Sequence, residues 1–519
     1  MNKQRTMNAF PFIIFSLLVV TSCDGIIQPS SQVFSSENLS QYERELTPTI
    51  PYLSENYLLP VLAENPYLIS ITWTTPHYAV EDGTLIYVSP IADEVITLSA
   101  TLTYQLLSHT LTYELLVKSQ LDVPSFSKRP RLSIQLGSQR TESDIYYEDY
   151  ISATATIQHD ANGLYQTTSI ISPLGIRTRG HSTRFMPKRP YRIRFDQNTS
   201  IFGMKPAKNY ILLANYIDRS LVRNSLVAYM SQFFDSTLYP LDYRFVDLII
   251  NQEYRGQYLL IERVEFQKNR LDIEPNLSLD DAGFMVELDF QVYVQNQGNE
   301  NLEWFMMNDK PYVIKEPNPL TTQGYQFRHT RYMNDYFHAT RTALIQKTNV
   351  ADYIDIENWI DYFMIQEISK NVDVGWGSVY MVKPTGEKLK HMPLWDFDLA
   401  FGNADYVDYT PEGHWGWATY EKNELFTLLM GVTAIRNRFK AKLIEFERDV
   451  LPLILAWLTA NESSLMILSE ENFNLWPMDT CEGWCPIPLP LQGLTSIAQQ
   501  FDYLRDFLTQ RITWMKSHI

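Results

Sequence analysis

The stretch Lys388-Leu389-Lys390-His391-Met392-Pro393-Leu394-Trp395-Asp396-Phe397-Asp398-Leu399-Ala400-Phe401-Gly402-Asn403 decides how this 519-residue chain is read. Asp396 and Asp398 directly follow an apolar strand end, with Trp395, Phe397 and Phe401 beside them. Carboxylates among large aromatics are costly to bury unless a cation or hydrogen-bond donors satisfy them. Upstream, Gln366-Glu367-Ile368-Ser369-Lys370 ends a helix, and a polar loop carries Asn371 and Asp373 before the strand Val379-Tyr380-Met381-Val382. A loop Asp, a hairpin and a second Asp 23 residues later form the arrangement that phosphoryl transfer needs. One Asp orients or deprotonates an acceptor hydroxyl, and the other holds Mg²⁺ on the phosphates. Taken singly, Asp373 reads equally well as an Asx turn, and Asp396 and Asp398 as capping residues. Their order along the chain favours chemistry.

A second cluster precedes them. Between Arg177 and Phe195 the chain gathers Arg177, Arg179, Arg184, Lys188, Arg189, Arg192 and Arg194 around the turn Gly180-His181-Ser182-Thr183. Such a turn between two strands offers backbone N–H groups and hydroxyls to a phosphate, while the cations neutralise its charge. A solvated basic hairpin that balances surface acids is the alternative.

The elements around these segments are mixed. Strands are expected at 132–135, 152–157, 191–195 and 210–214, then a helix from an N-cap at Asp218 through Met230. A hairpin follows at 245–250 and 257–262. Apolar residues at Ile356, Trp359, Ile360, Phe363, Met364 and Ile368 mark a helix over 355–370. The chain beyond Glu424 reads as mostly helical, closing on an amphipathic helix over 496–517. The fold class is α+β.

The N-terminal part carries an address. Lys3 and Arg5 precede the apolar run from Phe10 to Val20, too short for an ordinary membrane span and suited to a signal-peptide core. Val20-Thr21-Ser22-Cys23 resembles the lipobox of bacterial lipoproteins, in which the Cys becomes the lipidated first residue. Residues 1–22 then form the signal peptide, and Ser-, Gln-, Pro- and Asn-rich residues 23–58 a flexible stalk. Residues 59–122 show short alternating strands with turns such as Asp82-Gly83 and resemble a bacterial immunoglobulin-like β-sandwich, a spacer to which no chemistry is assigned. Of three Cys, Cys481 and Cys485 are close enough for a local disulfide in an oxidising compartment. Lys and Arg number 43 against 60 Asp and Glu, a net charge of −17 that repels phosphate backbones and argues against nucleic-acid binding. With 45% hydrophobic and 20% charged residues the chain is neither largely disordered nor a multi-span membrane protein.

Six ordered segments make the chain similar to the CotH kinase family, named for a spore-coat protein with an atypical, compact protein-kinase-like fold. They are Arg179-Gly180-His181-Ser182-Thr183 with Pro187-Lys188-Arg189, residues 212–224, residues 254–262, Gly283-Phe284-Met285-Val286-Glu287-Leu288-Asp289, Asn371-Val372-Asp373, and residues 393–403. The domain is extended by default over residues 130–519. The resemblance implies ATP-dependent phosphorylation of Ser or Thr with Mg²⁺, Mn²⁺ or Ca²⁺. It makes Asp373 the catalytic-loop Asp, Asp396 the metal-binding Asp with Asp398 as a second ligand, and Arg179, Ser182, Lys188 and Arg194 the nucleotide-contacting residues. Ser378 stands where a protein-kinase catalytic loop has a metal-binding Asn, and no Lys–Glu pair of the usual kind is evident. The leading reading is a lipid-tethered kinase on the extracytoplasmic face of a bacterial membrane, acting on surface or envelope proteins. A catalytically inactive adhesion or assembly protein on the same fold is the alternative; a metal-dependent hydrolase, lacking a His-rich constellation, ranks last.

Overall fold

The computed structural model describes residues 33–519 apart from 51–52, 54–55, 76–77, 87–93, 106, 118–129, 159–169, 235–236, 269, 296–301 and 418–421. The signal segment and Cys23 lie outside the described residues. The chain divides into two compact units, Met1–Val123 and Pro124–Ile519. Among the described residues no helix is long and apolar enough to cross a membrane.

The first unit contains strands β1 (Tyr57–Leu58), β2 (Ser70–Thr74), β3 (Val80–Glu81), β4 (Thr84–Leu85), β5 (Glu94–Tyr104) and β6 (Leu107–Val117), in two three-stranded sheets ordered β1-β4-β3 and β2-β5-β6. Strict alternation buries Ile96, Leu98, Ala100 and Leu102 on β5 and Leu111, Tyr113, Leu115 and Val117 on β6. The flexible stalk expected over 23–58 requires correction where it is described. A helix spans Ser36–Leu46, its first turn capped by Ser35, whose Oγ accepts the Asn38 N–H at 3.3 Å. Tyr42 and Leu46, one helical turn apart, are buried in the same core as Leu53 and the β5–β6 hairpin. The polar composition of the stretch hides this narrow apolar stripe.

The second unit opens with β7 (Arg131–Leu136), β8 (Ile151–Gln158), β9 (Ile170–Thr178), β10 (Tyr191–Thr199), β11 (Ala207–Leu213), β12 (Tyr243–Ile250) and β13 (Glu253–Glu262). They close into a barrel of order β10-β11-β13-β12-β7-β8-β9, antiparallel except where β12 meets β7. Residues two apart fill its interior, among them Leu132 and Ile134, Tyr191 and Ile193, Tyr210 and Leu212, Val246 and Leu248, Tyr258 and Leu260. β11 and β13 bury their outer face as well, where Ile211, Leu213, Leu259 and Ile261 pack with Trp395. That double burial explains why the segments Tyr210–Leu213 and Tyr258–Ile261 of these strands read as unbroken apolar runs.

Next comes an antiparallel sheet of β14 (Phe284–Leu288), β15 (Trp304–Met307), β16 (Lys310–Glu316), β17 (Val379–Lys383) and β18 (Lys390–His391), in the order β15-β16-β14-β17-β18. The Ile356–Ser369 helix feeds the Asp373 loop. Asp355 caps it, accepting the Asn358 N–H at 3.1 Å, and its residues from Asn358 to Ser369 are all buried. The terminal helix, Ile497–His518, reaches it through Arg511, whose guanidinium pairs with Glu367 at 2.7 Å, both side chains fully buried. A helix was expected from Asp218, but the observed one begins at Arg223 and ends at Ser231. Asp218 instead accepts the N–H groups of Ser220 and Arg223 at 3.1 and 2.8 Å and pairs with Arg223 Nη1 at 2.5 Å. With the Ser220 hydroxyl, this buried carboxylate has four donors and forms a tight polar loop, and the helix starts after it.

Candidate active site

One cleft of about 750 Å³ in the second unit is lined by the β9–β10 loop, by residues 213–217 after β11, by the five-stranded sheet and by the loops carrying Asp373, Asp396 and Asp398. It gathers the basic turn and the three carboxylates into one space. Each carboxylate is held by backbone anchoring around it. Asp373 sits in the short turn Val372–Gly375, where Asn371 Oδ1 accepts its N–H at 3.3 Å. Trp415 Nε1 donates to the Asn371 carbonyl and Asn423 Nδ2 to that of Val374, at 2.8 and 2.9 Å. Burial pushes the Asp373 carboxyl up to about 7, and the charges of Asp396 and Glu287 add to the shift.

Asp396 adopts a left-handed backbone, φ 66°, as does Ser378, φ 56°, and Ser378 Oγ donates to Asp396 Oδ2 at 3.2 Å. Non-glycine residues are uncommon there and cluster at functional sites. The segment is pinned from the Arg223–Ser231 helix: Asn224 Oδ1 accepts the Phe397 N–H at 2.8 Å, and Arg223 Nε donates to the Ala400 carbonyl at 3.0 Å. Asn403 Nδ2 bridges the carbonyls of Ile217 and Asp398 at 3.1 and 2.7 Å. The Asp398 carboxyl is pushed well above its usual range by burial, then by the charges of Asp396, Asp373 and Asp218.

The basic residues separate into three groups. Arg179 lines the cleft with its guanidinium 5.3 Å from the Trp395 ring centre, and Ser182 stands exposed on its rim. Arg194 is exposed, stacks on Tyr150 at 4.4 Å and lies outside the cleft lining, where Arg177 and Arg192 stand instead. Lys188 is not the solvent-facing loop cation that a basic hairpin suggests. Its side chain is buried, with Nζ donating to the Gln257 carbonyl at 2.6 Å and to Asn472 Oδ1 at 2.8 Å. Burial lowers its pKa to about 7, against the pull of Asp247.

The sequence reading missed Lys315, Glu287 and Asp289 as a unit. Lys315 Nζ lies 2.6 Å from Glu287 Oε2 and 3.3 Å from Asp289 Oδ2, and all three line the cleft. Between Met285 and Val286 the β14–β16 register shifts, leaving Lys315 as the extra residue. A bulge re-aims the side chain it carries. The sequence signal was a Lys at the end of the apolar strand Pro311-Tyr312-Val313-Ile314. Cys481 and Cys485 are joined in a disulfide.

The donor set suits a cation shared with a substrate. Among the described residues no three His, Cys, Asp or Glu side chains stand close enough to chelate a metal by themselves. Mg²⁺ is commonly held by one or two carboxylates plus phosphate oxygens, and the mutual repulsion of Asp373, Asp396 and Asp398 is what such an ion would relieve.

A model of the family described as CotH kinase protein matches residues 176–515, from β9 to the terminal helix. No curated protein matches the chain.

Two outcomes follow from the geometry. Lys188→Ala should lower the unfolding free energy by about 2–4 kcal/mol, because it empties a packed site and strips a donor from two buried oxygens. Urea unfolding measures it, and a loss below about 0.5 kcal/mol would show a solvent-facing side chain. Asp373 titrates near 7 in the fold and near ~4 when unfolded. The folded state therefore retains a proton that the unfolded chain has lost, so this stability is present below the unfolded pKa and disappears as pH rises through 7. Mg²⁺ should raise the melting temperature at pH 8 and do little at pH 5; equal shifts at both would remove the carboxylates from the cation site.

Proposed function

The chain belongs to the CotH kinase family, and on that premise we propose that it transfers the γ-phosphoryl group of ATP to Ser or Thr of proteins outside the cytoplasm. The observation that carries this reading is the single cleft that holds Asp373, Asp396 and Asp398 together with Arg179 and the Gly180–Thr183 turn. Asp373 receives the acceptor hydroxyl as a hydrogen-bond donor and takes its proton as the new O–P bond forms and the bond from the γ-phosphorus to the ADP oxygen breaks, releasing ADP. A carboxyl whose proton affinity lies near neutrality suits that task. Asp396, with Asp398 beside it, would hold Mg²⁺ or a similar ion. When bound, that ion supplies positive charge to the phosphate oxygens. Arg179 and Ser182 contact the phosphates, and Lys315 takes the role that Lys188, engaged by Gln257 and Asn472, does not fill.

The same proposal covers the rest of the chain. Cys23 carries lipid and tethers the protein to the outer face of a bacterial membrane, and the first unit serves as an immunoglobulin-like spacer. The disulfide between Cys481 and Cys485 supports an oxidising compartment.

Asp373→Asn should bind Mg²⁺·ATP nearly normally and lose turnover by about 10²-fold or more, whereas Asp396→Ala should lose metal-dependent nucleotide binding. Calorimetry and single-turnover transfer of labelled phosphate separate the two, and near-normal transfer by Asp373→Asn would sink the assignment. For the anchor, Cys23→Ser should free the protein from membranes or leave the precursor uncleaved. Mass spectrometry that finds an unmodified Cys23 in membrane-bound protein would overturn it.

A further inference from the structure

The loop closed by Cys481 and Cys485 lies against the cleft. Trp484, inside it, lines the cleft while 42% exposed, and Tyr406, 53% exposed, lines it too, the two ring centres 6.0 Å apart. A single exposed aromatic needs no explanation, but two paired at the edge of a reaction cleft form apolar surface kept open to solvent.

The pair is also held in place. The Glu482 N–H donates to Tyr216 Oη at 3.0 Å, and the Asp405 N–H donates to the Pro486 carbonyl at 3.1 Å. The disulfide shortens the loop between these anchors and restricts its freedom. Tyr216 packs on a cluster of Met186, Ile217, Val372, Leu399 and Ala404. Val372 immediately precedes Asp373, and Leu399 immediately follows Asp398. The aromatic pair thus connects, through Tyr216, to the packing unit that carries the proposed base. Met186 of that cluster belongs to the β9–β10 loop that also carries Arg179, whereas Lys315 lies on β16 beside Val313, away from it.

We infer that Trp484 and Tyr406 form the acceptor-side wall of the cleft and select substrate segments with an apolar side chain next to the Ser or Thr to be phosphorylated, an inference that rests on the kinase reading. An extended peptide entering toward Asp373 lays that neighbouring side chain on the two rings. Trp and Tyr grip it at low entropy cost because each has few rotatable bonds. A charged neighbour loses its hydration there without gaining a partner.

The test uses the full chain and Ser peptides identical except for the residue after Ser: Leu, Phe, Asp or Lys. The wild type should favour Leu and Phe over Asp and Lys by about tenfold or more in kcat/KM, the scale of one apolar contact. Trp484→Ala should reduce the preference to about twofold or less with KM for ATP unchanged. Tyr406→Ala, on a different segment, should do the same, so collapse of one loop cannot imitate the result. An active wild type without preference overturns the inference and leaves the kinase reading standing. So does a Trp484→Ala variant that keeps the preference and raises KM for ATP, which would make Trp484 a nucleotide contact. A wild type that transfers phosphate to none of the peptides and not to itself overturns the kinase reading, and the inference with it.

Discussion

Three carboxylates crowd into one cleft, and their mutual repulsion is the constraint around which the surrounding structure is arranged. Among the described residues, Asp373, Asp396 and Asp398 form no ion pair with Lys or Arg, although burial and neighbouring negative charge raise the pKa of Asp373 and Asp398. Left to relax, like charges would move apart or take up protons. They are kept in place through their backbones and, at Asp396, by the Ser378 hydroxyl. Arg223 illustrates the device: fully buried, it neutralises Asp218 and spends its Nε on the Ala400 carbonyl. The Asp396–Asn403 segment thereby gains a fixed anchor. Asn224, Asn403 and Ser378 complete the fastening with uncharged donors and acceptors, which hold geometry without neutralising the site.

The opposite wall solves the converse problem. Lys315 is cationic in the cleft because Glu287 and Asp289 hold its proton, raising its pKa against the cost of burial. Lys188, with a carbonyl and an amide oxygen as partners, is instead lowered. The two lysines thus end in different electrostatic states: Lys188 is fully buried against neutral oxygens, while the partly exposed Lys315 faces two carboxylates. Lys315 presents a committed cation to the cleft, and Lys188, which also lines it, ties the barrel to Asn472.

Much of this was legible in the sequence, and the rest was not for identifiable reasons. The α+β class followed from period-two runs such as Ile151–Ile157 and the helical spacing of Ile356–Ile368, because local alternation reports burial directly. The order Asp373, Asp396, Asp398 was legible because its residues are close in sequence. Closure of the barrel was not, since the parallel pairing of β12 with β7 joins strands more than 100 residues apart without a local signal. Lys315 was hidden by a bulge that no composition reveals. Lys188 was misplaced because the residue that buries it, Asn472, is 284 positions away. Asp218 misleads because Asp caps helices often, and its competing partner Arg223 fits the same helical pattern.

The walls of the cleft therefore depend on chain far from the chemistry. Gly256, φ 104°, is where the barrel admits the C-terminal part: a Cβ there would lie 2.6 Å from Asn472 Oδ1 and 3.0 Å from both Lys188 Cε and Trp476 Nε1. Those atoms occupy the space a side chain would need, and Trp476 Nε1 donates to the Arg255 carbonyl at 3.0 Å. Arg511 performs the equivalent role behind Asp373, since Glu367, its buried partner, also accepts the N–H groups of Trp415 and Gly416 at 2.8 and 2.7 Å. Trp415 in turn donates to Asn371, which orients the Asp373 turn. A chain ending after Asn403 would retain every carboxylate and lose the contacts that keep them in register. The extent of the family match, to residue 515, agrees with a site whose geometry is completed by the last helix.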